Sequence, residues 1–241
     1  PEFGYHARAL LLHNHLTGEE WPLTVAQMVI DHAAYFALSR VHHSAKEDRA
    51  TAWALRNLYY GIKVFGEKGT QFNNKQEPGY RRMPKGSSYQ TILNRLLDNY
   101  ILYFEQAGNK IYGSQPVWHG HVVDGLIMVL EGGLVPQDKQ ARIREIIIQA
   151  VQHVDSNELR WEGDTLEMVY VRAKPSENRL DKWLPAKSYG LFWLNSWQWV
   201  EQQGVELQFS SADIYRGSIR EYHMTRDWTG VLGIGNYIDK R

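Results

Sequence analysis

The sequence predicts a mainly α-helical fold, in which antiparallel helix hairpins form a toroid-like or open-toroid array with a small β-hairpin and an irregular C-terminal segment. Three observations lead there. Apolar helical runs repeatedly close on glycine beside polar or acidic residues: Leu16-Thr17-Gly18-Glu19-Glu20, Phe65-Gly66-Glu67-Lys68, Gln106-Ala107-Gly108-Asn109 and Glu131-Gly132-Gly133. Glycine is favoured just past a helix end because it takes the left-handed conformation without a Cβ clash. The runs are of similar length, as in a stack of helix pairs. Finally, the period changes after residue 157, where alternation replaces helical spacing over a short stretch.

Seven helices follow from the apolar spacing. The first runs from Tyr5 to Thr17 and stops at Gly18. The second starts at Thr24, where Thr24-x-x-Gln27 fits a capping box, and carries Val25, Met28, Val29, Ala33, Phe36 and Ala37. Ser44-x-x-Glu47 caps the third, which brings Trp53, Leu55, Leu58, Tyr59 and Ile62 to Gly66. Residues 67–87 form a long polar loop, a length that in compact domains is often functional. Ser87-x-x-Gln90 caps the fourth helix, through Leu93, Leu96, Leu97, Tyr100 and Phe104. The fifth spans Val117 to Leu130. The sixth follows Pro136 with Ile143, Ile146, Ile147, Ala150, Val151 and Val154.

Leu159-Arg160-Trp161, a turn at Glu162-Gly163-Asp164 and the run Leu166 to Val171 read as a β-hairpin. A polar link from Ala173 to Asp181 leads to a seventh helix, Ala186 to Gln203, apolar nearly all round and therefore buried on most sides. The remaining residues to Arg241 read as short strands and loops. Residues 1–4 read as a cloning-site remnant, with a helical-hairpin region over 5–156 and its hairpin, buried-helix and C-terminal extension over 157–241. On this reading the chain is part of something longer.

Bulk composition narrows the function. Of 241 residues, 27 are Lys or Arg and 27 are Asp or Glu, so no global field favours nucleic acid or an anionic membrane. No stretch approaches the roughly 20 apolar residues needed to span a bilayer. Without cysteine there is neither a disulfide nor a thiolate metal site, and the compartment stays open. Nine Trp and 14 Tyr outweigh seven Phe. Trp and Tyr carry a polar handle on an apolar body, which suits half-wet sugar clefts and interfaces as well as large helical cores.

The stretch Ala7 to Asp31, with its Leu-Thr-Gly-Glu-Glu turn between two helices, resembles one hairpin of the α,α-toroid carbohydrate enzymes, the six-hairpin glycosidases and helical-barrel polysaccharide lyases. Trp118-His119-Gly120-His121-Val122-Val123-Asp124, followed by Glu131-Gly132-Gly133, is similar to an inner helix of that group. The resemblance implies a sugar cleft facing the start of that helix, and a partial toroid or a fragment of one. It carries no catalytic residues over, because no family-specific signature is present.

The strongest local candidates for chemistry are His119, His121 and Asp124, with Trp118 beside them. A helix N-terminus favours an anion such as a uronate carboxylate, and a His there suits proton transfer near neutral pH. His119 and His121, two apart, do not share one helical face. Tyr80, Arg81 and Arg82 form a cationic and aromatic patch that could clamp an acidic sugar. Trp193 and Trp197 lie on one stripe with Tyr189, as either core or sugar platform, while Asn195 and Gln198 between them are unusual for pure core.

No metal or other cofactor is expected. Asp31-His32 reverses the His-Asp order of metal phosphohydrolases, and no Glu-x-x-His occurs. The function these features suggest is a carbohydrate-active domain that binds or cleaves a polysaccharide or oligosaccharide in an aromatic-lined cleft, as hydrolase or lyase. The alternative is a non-catalytic helical module for protein–protein interaction, without nucleic acid or membrane insertion.

Overall fold

The computed structural model describes residues 7–39, 48–71, 87–108, 116–171 and 181–225. Eight α-helices occur among them: α1 (Ala7–Thr17), α2 (Trp21–Ser39), α3 (Asp48–Tyr60), α4 (Tyr89–Gln106), α5 (Pro116–Glu131), α6 (Gln137–Asn157), α7 (Lys187–Gln202) and α8 (Ser211–Thr225). A π turn (Gly61–Phe65) and a 3-10 turn (Gly66–Lys68) extend α3, and three short strands, β1 (Leu159–Glu162), β2 (Thr165–Val171) and β3 (Lys182–Pro185), follow α6. The mainly helical fold with a small β-element is as expected. No helix among the described residues is long and apolar enough to cross a membrane.

The glycine stops behave as predicted. Gly18, Gly66, Gly108, Gly133 and Gly204 all have positive φ. At the end of α5, Gly133 turns the chain at φ 70° so that the Leu134 N–H returns to the Val129 carbonyl at 2.9 Å, satisfying a carbonyl the helix would otherwise leave open.

Several boundaries differ from expectation. Helix α2 starts at Trp21, three residues before Thr24, and the Leu23 and Thr24 N–H groups donate to the Glu20 carbonyl. Pro22 explains this, because proline is well placed in a first helical turn, where its missing N–H is not needed. Helix α4 is capped by Ser88 rather than Ser87: the Thr91 N–H donates to Ser88 Oγ at 3.4 Å. Ser87 instead faces Thr70, its N–H donating to Thr70 Oγ1 while the Thr70 N–H donates to the Ser87 carbonyl, both at 3.0 Å. The Ser44-x-x-Glu47 cap lies outside the described residues.

The C-terminal segment is not irregular throughout, since α8 occupies Ser211–Thr225. It opens with a reciprocal capping box: the Asp213 N–H donates to Ser210 Oγ at 3.1 Å, and the Ser210 N–H donates to Asp213 Oδ2 at 3.0 Å. The sheet also gains a strand. Its order is β1-β2-β3, antiparallel throughout, with Glu162 paired to Thr165 across the two-residue Gly163-Asp164 turn, as the hairpin motif requires. Arg160 and Glu167 face each other across β1 and β2, and Arg160 also lies over the Trp183 ring of β3 at 4.3 Å.

The chain divides into two compact units. One comprises residues 1–103 and 125–143, the other 104–124 and 144–241, so the helical region expected over 5–156 contributes to both. In the first unit, α1, α2 and α3 pack together around Ala26, Ile30, Ala34, Leu55 and Leu58. A buried carboxylate, Asp31, accepts the Tyr89 hydroxyl from α4 and the Gln71 N–H at 2.8 Å.

In the second unit α7 packs on α8, and α8 on β2. These contacts use small residues. A Cβ on Gly190 would lie 2.2 Å from Ser218 Oγ, and one on Gly217 would lie 2.5 Å from Leu166 Cβ. Asp155, buried on α6, accepts the Gln208 and Phe209 N–H groups at 2.8 and 3.0 Å and thereby fixes the approach to α8. The Trp197 indole adds a bond to the Phe209 carbonyl at 2.8 Å.

Candidate functional site

The start of α5 and the middle of α7 meet in the second unit, and their meeting assembles most of the candidate residues. Pro116 opens α5 in the position a first turn tolerates. One turn on, Gly120 lies so close to α7 that a Cβ would sit 2.8 Å from the Phe192 carbonyl oxygen. With no side chain between the two backbones, the neighbouring residues of α5 fold down on either side of α7.

The two histidines take opposite sides of this seam. The His119 ring stacks on Trp193 with centroids 6.2 Å apart, and His119 is fully buried. The His121 ring meets Phe192 at 4.1 Å. This follows from helical geometry, in which residues two apart point roughly 200° away from each other. His119 and His121 therefore do not converge.

Trp118, His121 and Asp124 do form a group. Spaced three apart, they follow one flank of α5. Trp118 stacks on both His121 (6.0 Å, 18° between planes) and Phe192 (5.6 Å, 25°). Asp124 accepts a hydrogen bond from Asn195 Nδ2, one turn beyond Phe192 on α7. The arrangement is a cluster of three rings in mutual contact, Trp118, His121 and Phe192, with a carboxylate held by an amide a turn beyond His121. Trp118 is half-buried, whereas His121 and Asp124 keep only a sliver of surface, 9% and 8%.

Trp193 and Trp197 are fully buried and meet edge to face at 5.9 Å. As core residues they leave no ring face open for a sugar. The side chain of Tyr189 and the whole of Tyr80, Arg81 and Arg82 lie outside the described residues. Gln198 is exposed. Asp31 belongs to the buried cluster with Tyr89, apart from the exposed His32 that follows it. No group of three or more His, Cys, Asp or Glu side chains among the described residues is placed to hold a metal ion.

Phe192 escapes sequence reading because α7 is apolar nearly all round, so no stripe marks the face that meets α5. Asn195 left a signal, an amide between large aromatics, and the structure gives it a partner. A scan against protein-family models and searches of curated proteins and of solved structures found no match for this chain.

Proposed function

We propose that this chain binds a polysaccharide or oligosaccharide at the flank of α5 that carries Trp118, His121 and Asp124. The observation that supports the reading is the half-buried Trp118, stacked on His121 and Phe192 and followed nearly two helical turns later by the Asp124–Asn195 pair. A half-buried indole keeps part of its apolar surface accessible to a sugar ring, and the carboxylate–amide pair offers an acceptor and donors for its hydroxyls.

If the site turns over substrate, its chemistry is uneven. Glycoside hydrolysis ordinarily uses two opposed carboxylates, and this group contributes one. An imidazole beside a carboxylate fits proton abstraction and return, the step of a lyase, better. His121 is then the base, and Asp124 orients the substrate. His119, enclosed against Trp193, serves the packing of α5 on α7.

The test is a glycan-array screen followed by calorimetric titration of any glycan that binds. Trp118→Ala is expected to abolish binding, with Trp183→Ala on the sheet as a control that retains it. A wild-type chain that binds no glycan overturns the proposal.

A further inference from the structure

The two helices that build the candidate site bring a carboxylate to it and are almost without basic residues. From Pro116 to Glu131, α5 has no Lys or Arg, and α7 has none after Lys187, its first residue. Lys187 lies about two turns before Asn195, and Glu131 about two turns beyond Asp124. The charged side chain that α5 and α7 set beside the ring cluster is therefore Asp124, held by Asn195.

Its surroundings strengthen the effect of that charge. Asp124 keeps only 8% of its surface, so its carboxylate is poorly hydrated. In such a place a nearby cation gains more than it would in open water, and a second anion is opposed more strongly. The rings on this flank act in the same direction. Trp118, His121 and Phe192 touch one another a turn away, and the electron-rich faces of Trp and Phe attract cations. The positive end of α5 opposes them, but its field fades within the first turn, whereas Asp124 lies about two turns from Pro116.

We infer that the glycan this site takes carries free amino groups, as a polymer of glucosamine does, and is not a uronic-acid polymer. The inference rests on the polysaccharide reading and narrows it. A protonated sugar amine makes a charge-assisted hydrogen bond to the Asp124 carboxylate, which a hydroxyl does not match, while a uronate brings a second carboxylate to the same flank. Trp118 and Asp124 are separated by about 9 Å along α5, more than the width of one sugar ring. The ring against Trp118 and the amine at Asp124 therefore belong to different sugars of one chain. Elimination beside a uronate needs a cation to neutralise the sugar's own carboxylate, so an amino-sugar ligand goes with binding rather than with a lyase step.

The experiment is calorimetric titration of the full chain, at a slightly acid pH where sugar amines are protonated. The probes are four hexasaccharides, of glucosamine, N-acetylglucosamine, glucose and galacturonic acid, with the glucosamine monomer beside them. The glucosamine hexamer is expected to bind about tenfold more tightly than the acetylated and glucose hexamers. The galacturonate hexamer is expected to bind most weakly, and the monomer to lose the advantage of the amine. Raising the pH until the amines lose their protons is expected to erase the margin in the wild-type chain, read against the glucose hexamer. Asp124→Asn, with its fold checked by near-ultraviolet circular dichroism, is expected to erase it as well.

A galacturonate hexamer that binds as tightly as the glucosamine hexamer overturns the inference and leaves the polysaccharide reading standing. So does a glucosamine hexamer no tighter than its acetylated form, or a margin that survives loss of the amine protons. A chain that binds no glycan of any class fells the reading on which the inference rests.

Discussion

Asn195 on α7 donates through Nδ2 to Asp124 Oδ1 on α5, joining two helices across 71 positions of sequence. The contact sits one turn beyond the Trp118–His121–Phe192 stack, so it ties the polar end of the candidate site to its aromatic end. Asn195→Leu removes the donor and is expected to cost about 1–3 kcal/mol, the range for taking a partner from a nearly buried polar group. Asp124→Ala combined with Asn195→Leu is expected to cost less than the two single changes added together. Urea unfolding of the four proteins measures both effects.

The pairing of Asp31 with Tyr89 has an alkaline signature. Burial is the main reason the Tyr89 phenol is pushed well above its ordinary range, and its hydrogen bond to Asp31 adds to this. In the native state Tyr89 thus keeps its proton where the unfolded chain loses it. Its contribution is fully present below the ordinary phenol value and is lost as pH rises towards the native one. Absorbance titration of wild type and Tyr89→Phe is expected to count the same number of tyrosines ionising in the ordinary range. The variant is expected to be less stable by about 1–3 kcal/mol at neutral pH.

Gly120 sets how closely α5 approaches α7. Adding one methyl group, as in Gly120→Ala, presses on the Phe192 carbonyl and on Trp193 Cδ1, which a Cβ would approach to 3.0 Å. The expected cost is about 1–3 kcal/mol from overpacking, more than the helix propensity of alanine returns. Near-ultraviolet circular dichroism is expected to change as Trp118 and Trp193 shift, with little change in helix content.

The capping box of α8 predicts an acid limb of stability. The Ser210 hydroxyl, donating to Asp213 at 2.7 Å, is the main cause that holds the Asp213 carboxyl below its ordinary value. The Ser210 N–H and Arg216 act in the same direction. A lowered native value gives stability that is present above the ordinary Asp range and lost as pH falls through the native one. Asp213→Asn is expected to flatten this loss between neutral pH and about pH 3. Hydrogen exchange of the first-turn amides of α8 reads it directly, because the group is too exposed to dominate global stability.

What the sequence discloses depends on whether an element buries a continuous stripe. Helices α5 and α6 carry apolar runs, Val122 to Leu130 and Ile143 to Val154; α5 was legible to within a residue at each end, and α6 at its start, though it continues three residues past Val154. Helix α8 was not legible; among its described side chains it packs through Gly217 and Ser218, with Ile214 as a large buried residue. Small residues permit close contact without leaving a hydrophobic period, and the Ser210-x-x-Asp213 pattern was the clue available. Strand β3 spans four residues and pairs through β2, too little to register as alternation. For the candidate site, α5 disclosed Trp118, His121 and Asp124. Their partners on α7 depend on which side of an all-round apolar helix faces inward, and tertiary packing decides that.

The mutual hydrogen bonds of Thr70 and Ser87 mean that the chain between them leaves and returns at nearly one point. The separation of its ends is therefore set by those two residues, whatever the number of residues in between. Closing a loop whose ends are already pinned becomes costlier only logarithmically, by about 0.6 kcal/mol for each doubling of length. The clamp keeps Thr70, just after the extension of α3, beside Ser87, just before α4, within the first unit.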